Sequence, residues 1–365
     1  MSSTSDPLKV FVVGGTGLIG SALVDMMRKS PHPGVECAGY CNSRYGVKLS
    51  SGGKEETTHW KKEGGDGAKF DDDYIAACCA SSSSSSSSAK ICVADCSASE
   101  LVSDSYAPWL SKGWHVATPN KKVNSGPLER YQSCIDASSS PDGGQWYVEA
   151  TIGAGLPVVS TLRTLRATGD RVYKIRGVFS GTMSFLFNTW DGSEPFSSVV
   201  SKAKDAGYTE PDPRDDLNGM DVARKVVIAA RESGLMISLE DVDVQSLVPA
   251  ELESVSSDEF MSEFGPSVDG AMSDRASAAS SGGNVLRFVG EVDLKTKKAS
   301  VKLDEFSRSH AFAGLAGADN IIEIETARYG PEGSSTPLII RGPGAGAGVT
   351  AAGVYGDIIT LSKSV

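Results

Sequence analysis

Asp221 and Lys225 are the two residues of this sequence whose types and spacing are best suited to proton transfer. Residues four apart lie on one face of a helix, so a helix here would hold the carboxylate beside the amine. Directly before them stands an acidic turn stiffened by prolines, GYTEPDPRDD at 207–216. A carboxylate and an amine held together beside an acidic loop could bind an ammonium group and move a proton. The alternative is a surface ion pair that only braces the helix, since isolated exposed pairs contribute little.

The helix that would carry this pair is predicted from the sequence LNGMDVARKVVIAARESG at 217–234. Acidic residues precede it, which suits the positive N-terminal end of a helix, and Gly234 supplies the stop. Val222, Val226 and Ala229 share another face, which we expect to be buried. The pair would therefore project from a helix that is packed on its other side.

A glycine-rich segment near the N-terminus predicts a nucleotide site. Lys9–Val13 is a short apolar run typical of a strand, GTGLIG at 15–20 follows, and 21–27 has helical character. Strand, G-x-G-x-x-G, helix is the context in which this pattern predicts dinucleotide binding. The glycines permit a tight turn and close approach of the backbone to a pyrophosphate, which the helix N-terminus attracts. A plain turn is the alternative, but the flanking elements favour the nucleotide site.

The end of the second strand decides which nicotinamide dinucleotide is preferred. An acid there would bind the ribose 2′-hydroxyl and repel a 2′-phosphate. We place this strand at Val35 to Tyr40, and the residues after it include Arg44 and no acid. Glu36 stands too early in the strand for this role. The sequence therefore predicts a preference for NADP(H), with NAD(H) as a possible cofactor, unless Arg44 is only a solvated loop residue.

Bulk properties fit a soluble enzyme, and the length of 365 residues predicts about two domains. The net charge of −11 argues against nucleic acid and anionic membranes as partners. No run approaches the roughly 18 apolar residues that span a bilayer. The N-terminus has no hydrophobic signal core, so we expect a cytoplasmic protein, or a plastid stroma protein if a presequence was removed. The seven cysteines show no C-x-x-C spacing, which predicts reduced thiols and no zinc site.

The order of the elements predicts an α/β fold in two domains. Residues 1–148 alternate short apolar runs, such as 91–95 and 114–117, with helical patterns. Residues 149–337 form a second unit of mixed strands and helices, in which the Ser-, Ala- and Gly-rich stretch 265–283 is expected to be a mobile insertion or helix connection. RGPGAGAGVTAAGV at 341–354 is a second glycine-rich loop opening a helix, so 338–365 should return to the first domain. The serine run 81–88 is expected to be a solvated loop.

Several long motifs resemble the homoserine dehydrogenases. They are GGTGLIG at 14–20, TPNKK at 118–122, EATIGAGLP at 149–157, FSGTMSFLFN at 179–188, GYTEPDPRDDLNGMDVARK at 207–225 and RGPGAGAGVTAAGV at 341–354. The resemblance covers nearly the whole chain. It is strongest to the dehydrogenase part of fused aspartate kinase–homoserine dehydrogenases, and the kinase part is absent from this sequence.

The resemblance implies reversible NAD(P)H-dependent reduction of L-aspartate 4-semialdehyde to L-homoserine, in threonine, methionine and isoleucine biosynthesis. It implies a Rossmann-type nucleotide-binding domain joined to an α+β mixed-sheet catalytic domain that forms a homodimer. An aspartate kinase half, fused or separate, is a possible partner. By motif position, Lys225 is the proton donor and Lys121 the second proton-transfer residue, while Glu210, Asp216 and Asp221 bind the substrate.

The residue patterns and the resemblance together give the predicted cofactor contacts. They are Gly15, Thr16, Gly17, Leu18, Ile19, Gly20, Arg44, Ser97, Lys121, Gly207 and Gly346. Glu149 with the carbonyls of Ile152, Ala154 and Leu156 resembles a site for sodium or potassium. The alternative for Glu149 is a carboxylate that pins a turn.

Two other classes of protein remain alternatives. GGTGLIG also resembles the opening of extended short-chain reductases, but none of the tyrosines has the lysine four residues later that those enzymes need. A non-catalytic nucleotide sensor would keep the glycine loop and could lose Lys121, Glu210, Asp221 and Lys225, all of which are present. Turnover of homoserine with NADP⁺ separates enzyme from sensor.

Overall fold

The structure is a computed structural model that describes residues 6–50, 54–60, 70–80, 89–333 and 335–364. The chain divides into two compact units, residues 1–155 with 346–365 and residues 156–345. The serine run at 81–88 lies outside the described residues. None of the helices in the described parts of the chain combines the length and apolarity that crossing a bilayer requires.

The first unit begins as an alternation of strands and helices. Its elements are β1 (Leu8–Val13), α1 (Leu18–Lys29), β2 (Val35–Cys41), β3 (Tyr45–Leu49), β4 (Glu55–His59), α2 (Asp72–Cys79), β5 (Ile91–Asp95), α3 (Glu100–Ser103), α4 (Tyr106–Ser111), β6 (His115–Ala117), α5 (Leu128–Ser139) and β7 (Trp146–Tyr147). The strands form a sheet in the order β4-β3-β2-β1-β5-β6-β7. β1, β2, β5, β6 and β7 are parallel, whereas β3 and β4 are antiparallel.

The centre of this sheet is buried on both faces. β1 and β5 are apolar almost throughout, and Val10, Val12, Cys92 and Ala94 are all fully buried. Near-continuous apolar runs are typical of parallel strands that are covered on both sides. The strands expected at 9–13 and 91–95 are therefore confirmed, and the strand expected at 114–117 begins one residue later, at His115.

The second unit is built on a mixed sheet. Its elements are α6 (Val159–Ala167), β8 (Val172–Val178), α7 (Gly181–Thr189), α8 (Phe196–Asp205), α9 (Arg214–Leu217), α10 (Met220–Glu232), β9 (Val242–Val244), α11 (Ser257–Ser281), β10 (Asn284–Asp293), β11 (Lys298–Ser307), β12 (Asp319–Thr326) and β13 (Leu338–Pro343). The strand order is β13-β12-β8-β10-β11-β9. All neighbouring pairs are antiparallel except β11 with β9.

The last helix returns the chain to the first unit. It is α12 (Ala347–Ser364), and its residues Ala351, Val354 and Ile358 are fully buried in the same apolar core as Leu8 and Val10. The segment before it differs from the expectation. β13 pairs with β12 from Asp319↔Pro343 to Ile324↔Leu338, so residues 338–343 lie in the second unit and the chain joins the first unit only after this strand.

The stretch 265–283 was expected to be a mobile insertion or connection, and this expectation is wrong. Most of it lies in α11, whose interior contains Pro266. Buried Phe260, Phe264 and Met272 pack one side of the helix into the unit. Tertiary packing of this apolar side outweighs the low helix propensity of glycine, serine and proline.

Candidate active site

Four predicted cofactor segments meet at one edge of the first unit's sheet. The glycine loop follows β1, the loop with Arg44 follows β2, Ser97 follows β5 and Lys121 follows β6. These strands are parallel, so all four segments leave from the carboxyl ends of the strands. This edge is where open α/β sheets bind dinucleotides.

The glycine loop is shaped by close contacts of its own backbone. A Cβ on Gly20 would lie 2.2 Å from the carbonyl oxygen of Gly14, so this position admits only glycine. A Cβ on Gly17 would lie 3.3 Å from the same oxygen, and Gly17 is exposed, so its surface is open to a ligand. Gly17 caps α1, whose first turn contains no acidic residue. An exposed helix N-terminus without a nearby carboxylate suits a pyrophosphate.

A hairpin tip carries Arg44 to the same loop. Ser43 and Arg44 are exposed between β2 and β3, and Asn42 Oδ1 accepts hydrogen bonds from the backbone N–H groups of Arg44 and Tyr45 at 2.8 and 3.0 Å. Asn42 Nδ2 donates to Thr16 Oγ1 at 3.1 Å. The tip is thereby tied to the glycine loop, and the exposed Arg44 stands just after the end of β2, where a 2′-phosphate would be recognised.

Asp95 joins the loops that follow β5 and β6. It is fully buried and accepts hydrogen bonds from Ser97 N at 2.9 Å, Ser97 Oγ at 2.6 Å, Asn120 Nδ2 at 3.2 Å and the hydroxyl of Tyr106. Burial raises the pKa of this carboxyl above its ordinary value, although its donors act in the opposite direction. Asp95 therefore fixes both Ser97 and the turn that leads to Lys121.

Lys121 is held by the backbone of the TPNKK segment. Thr118 Oγ1 accepts from Asn120 N at 2.9 Å, and Asn120 Oδ1 accepts from Lys122 N at 3.0 Å. The carbonyl of Lys121 accepts from Ser125 N at 3.0 Å and from Ser125 Oγ at 2.8 Å. The main chain on both sides of Lys121 is therefore fixed, and its side chain is partly exposed.

In the second unit, Lys225 projects from α10 into a buried setting. Its Nζ lies 2.7 Å from Asp221 Oδ2 and donates to the carbonyl oxygen of Phe179 at 2.8 Å. Lys225 is 7% exposed, and the neighbouring Val222 and Val226 are 1% exposed. The buried face expected at Val222, Val226 and Ala229 is confirmed, but the burial extends around most of the helix and includes the lysine.

The boundaries of α10 follow from its caps. The helix begins at Met220 instead of near Leu217, because Gly219 takes a left-handed conformation at φ 74° and separates it from α9. It ends at Glu232, and Gly234 follows at φ 93°, as expected for a glycine that stops a helix. Arg163 pairs with the Glu232 carboxylate at 2.8 Å, which anchors the C-terminal end of the helix.

Three carboxylates gather in front of this helix. Asp216 Oδ2 accepts from the backbone N–H of Glu210 at 2.8 Å. Burial raises the pKa of Asp216, and the negative charges of Glu210 and Asp221 raise it further. The structure therefore brings the predicted substrate residues Glu210, Asp216 and Asp221 together beside Lys225. A cluster of negative charge of this kind suits an ammonium group.

The loop that contains Gly207 is fastened to α7. Tyr208 stacks on Phe185 with ring centroids 4.0 Å apart, and Thr182 Oγ1 donates to the Tyr208 carbonyl at 2.8 Å. Gly207 itself has φ 74° after α8, and among the described residues, its two chain neighbours aside, no atom lies within 4 Å of where its Cβ would be. Its glycine is required by the backbone conformation, and its surface is open.

Arg214 was not singled out in the sequence, although it holds the acidic turn in place. Its guanidinium pairs with Asp212 at 2.6 Å and donates to the carbonyls of Leu252, Glu253 and Val255. Asp212 therefore braces the loop, and this arginine lowers the pKa of its carboxyl. The P-D-P-R sequence, with an acid and a base two residues apart, was the available signal.

The residues considered for a monovalent cation are divided between the two units. Glu149 begins a 3-10 turn and donates its backbone N–H to Asp357 Oδ2 at 2.9 Å. Ile152 is buried, Ala154 has a positive φ of 56°, and Leu156 belongs to the second unit. Within the described residues, no group of three or more His, Cys, Asp or Glu is arranged to hold a metal.

The predicted cofactor residue Gly346 has a φ of 114° and directly precedes α12.

Comparison with known proteins identifies the same two parts. A family model described as homoserine dehydrogenase matches residues 157–359, and one described as homoserine dehydrogenase, NAD binding domain, matches residues 15–149. The chain is 52% identical over 272 residues to the chloroplastic bifunctional aspartokinase/homoserine dehydrogenase 1 of Zea mays, which is 74% of this chain and 29% of the maize protein. It therefore spans less than a third of that relative.

Shorter relatives match over most of their length. The chain is 47% identical over 280 residues to the homoserine dehydrogenase of Schizosaccharomyces pombe, which is 75% of this chain and 73% of that protein. The structure of a hyperthermophilic archaeal homoserine dehydrogenase mutant in complex with NADPH superimposes with a TM-score of 0.70 at 19% identity and covers 98% of each chain, which shows a common fold.

These matches confirm the expected fold class, an α/β nucleotide-binding domain of Rossmann type with a mixed-sheet catalytic domain. They also confirm the family that the motifs resembled. Because the family model at residues 157–359 covers more than half of the sequence, this chain belongs to the homoserine dehydrogenase family.

Proposed function

We propose that this chain catalyses the reversible NAD(P)H-dependent reduction of L-aspartate 4-semialdehyde to L-homoserine. The observation that carries the proposal is the setting of Lys225, which is buried and held between Asp221 Oδ2 and the Phe179 carbonyl at 2.7 and 2.8 Å. Reduction of an aldehyde leaves negative charge on its oxygen. An oriented ammonium group stabilises that charge and supplies the proton.

The carboxylate cluster supports an amino-acid substrate. Glu210 and Asp221 hold the ammonium end. Burial raises the pKa of Asp216, the negative charges of Glu210 and Asp221 add to that rise, and a bound ammonium group would offset those charges. In this proposal Asp221 binds the substrate ammonium and also contacts the proton donor Lys225 directly. Lys121 would act as the second proton-transfer residue from the TPNKK turn.

NADP(H) is the preferred cofactor in this proposal. The open surface of Gly17, the acid-free start of α1 and the exposed Arg44 at the end of β2 fit a dinucleotide with a 2′-phosphate. The cofactor supplies the hydride. Gly15, Thr16, Leu18, Ile19, Gly20, Ser97, Gly207 and Gly346 are retained as its other proposed contacts, with NAD(H) as an alternative cofactor.

Further partners rest on the family. We retain Glu149 with the carbonyls of Ile152, Ala154 and Leu156 as the proposed site of sodium or potassium. A homodimer formed by the second domain is proposed, as is a fused or separate aspartate kinase half, which the maize relative's name includes. A cytoplasmic location, or a plastid stroma as for a chloroplastic relative, remains an expectation.

The direct test is oxidation of L-homoserine by the purified chain with NADP⁺ and, separately, with NAD⁺. Formation of reduced cofactor that depends on both reactants supports the proposal. Absence of turnover with both cofactors, in protein that still binds NADPH, would instead favour a nucleotide sensor.

A further inference from the structure

The carbonyl that holds Lys225 has a second donor. Asn320 Nδ2 donates to the Phe179 oxygen at 2.9 Å, and Lys225 Nζ donates to the same oxygen at 2.8 Å. Phe179 follows β8, and Asn320 lies in the neighbouring β12, whose register sets Ile321 opposite Val178. A carbonyl oxygen has two lone pairs, so the two donors together fix its direction.

Asn320 occupies a site that is shaped around it. It is fully buried, and within the described residues its Oδ1 atom accepts no hydrogen bond. A Cβ on Gly344 would lie 2.0 Å from both Cγ and Nδ2 of Asn320. This glycine therefore leaves room for the amide. A buried amide with an unsatisfied oxygen costs stability, and such costs are tolerated where a side chain serves function.

We propose that Asn320 is a positioning residue that orients the ammonium group of Lys225 through the Phe179 carbonyl. This inference rests on the proposed role of Lys225 as the proton donor. Asp221 holds one side of the ammonium, and the Phe179 oxygen holds another. Without the Asn320 amide, the Phe179 carbonyl oxygen accepts a hydrogen bond from only one of these two donors, and the orientation of its peptide group is less restricted. The direction of the Lys225 N–H groups then becomes less defined, and proton transfer depends steeply on that direction.

Two substitutions at Asn320 distinguish the loss of the hydrogen bond from the loss of side-chain volume. Asn320→Ala removes the amide, and Asn320→Asp keeps its shape but removes the donor when ionised. Each should lower kcat by about tenfold, the size expected for one lost oriented hydrogen bond, with little change in the KM for NADPH. Asn188→Ala is the matched control, because Asn188 Nδ2 also donates to a backbone carbonyl of this domain, that of Gly317. The control variant should have a kcat within about twofold of the wild-type value.

An isotope effect reports whether the chemical step has slowed. With NADPH deuterated at the transferred position, the isotope effect on kcat should rise in Asn320→Ala and stay at the wild-type value in Asn188→Ala. A side chain that only supports folding would lower the amount of active enzyme and leave this isotope effect unchanged. Gly344→Ala gives an independent variant, since its methyl group would displace the Asn320 amide, and it should show the same two changes.

The decisive measurement is a double-mutant cycle with Lys225→Met. If Asn320 acts through Lys225, Asn320→Ala should slow the wild type about tenfold and should not slow Lys225→Met further. An equal slowing in both backgrounds overturns the inference, as does a wild-type kcat in Asn320→Ala. If Lys225→Met keeps its kcat, the assignment of Lys225 fails instead, and the two failures are thereby distinguished.

Discussion

Asp221 Oδ2 and Lys225 Nζ lie 2.7 Å apart, yet the two side chains differ in burial, because that of Lys225 is 9% exposed and that of Asp221 is 46% exposed. The pair is therefore more than a surface bridge across one turn of helix. Its amine is held inside the domain, whereas its carboxylate is partly exposed and lies near enough to Asp216 for its charge to raise the pKa of that residue. A substrate ammonium can reach the carboxylate while the lysine remains in place.

The identity of the cofactor is tested at Arg44. Arg44→Ala should narrow the preference for NADP(H) over NAD(H), measured as a ratio of kcat/KM values, by roughly tenfold, the worth of a charge-assisted contact to phosphate. Lys29→Ala, at the exposed end of α1, serves as the control and should leave the ratio unchanged. A wild type that uses NAD(H) better by about tenfold or more contradicts this interpretation of the hairpin tip.

The ionised carboxylate of Asp216 should lower the stability of the fold while it strengthens substrate binding. Its folded-state pKa is raised, so folding favours the protonated carboxyl, and stability falls as the pH rises above the ordinary carboxyl value of 3.8. Asp216→Asn should therefore keep or raise the melting temperature at pH 7, by about 1–3 °C, while the KM for homoserine increases.

The pH dependence provides the check on Asp216. The stability difference between Asp216→Asn and the wild type should shrink at acidic pH, where the native carboxyl is also protonated. Asp215→Asn, at the exposed neighbouring position, should change neither the KM nor this pH dependence. A melting temperature of Asp216→Asn well below that of the wild type at pH 7 would show that the carboxylate stabilises the fold.

Asp95 should matter to both the fold and the cofactor. Asp95→Ala leaves the donors of Ser97, Tyr106 and Asn120 without their acceptor, which should lower the free energy of unfolding by about 3 kcal/mol. The KM for NADPH should rise, because the loops after β5 and β6 lose their common anchor. Denaturant unfolding and initial rates measure the two effects, and the exposed Asp142→Ala is the control. An unchanged unfolding midpoint would refute the anchoring role.

Assembly is the fourth test. We expect a two-fold dimer formed by the second domain, as the resemblance to the family implies. Sedimentation equilibrium at micromolar protein should give twice the chain mass. A monomer mass under these conditions would contradict this expectation.

The sequence predicted those parts of the candidate site in which residues close in the chain are also close in space. The glycine loop, the helix of Asp221 and Lys225, and its glycine stop follow from spacing and caps. The start of that helix was expected at Leu217 but lies at Met220, because Gly219 separates α10 from α9. The sequence alone did not show that the helix is interrupted at this glycine.

Long-range packing could not be read in the same way. Asn320 lies far from Lys225 in the chain, and only the pairing of β12 with β8 brings it to the Phe179 carbonyl. The α11 helix was missed because its composition is that of a loop, and its order depends on burial of Phe260 and Phe264. The position of β13 depended on its pairing with β12, which no local pattern specifies.

The proposed reaction depends most directly on Lys225, and one variant tests that dependence. Lys225→Met should lower kcat by roughly 10²–10⁴-fold, since it removes the group that protonates the new alkoxide, with little change in the dissociation constant of NADPH. Measurement of kcat, NADPH affinity and melting temperature on the same preparation decides between catalysis and bracing. If Lys225 is the proton donor, kcat falls by this large factor in a protein that still binds NADPH. A kcat within a few fold of the wild type, with a lowered melting temperature, would contradict this assignment.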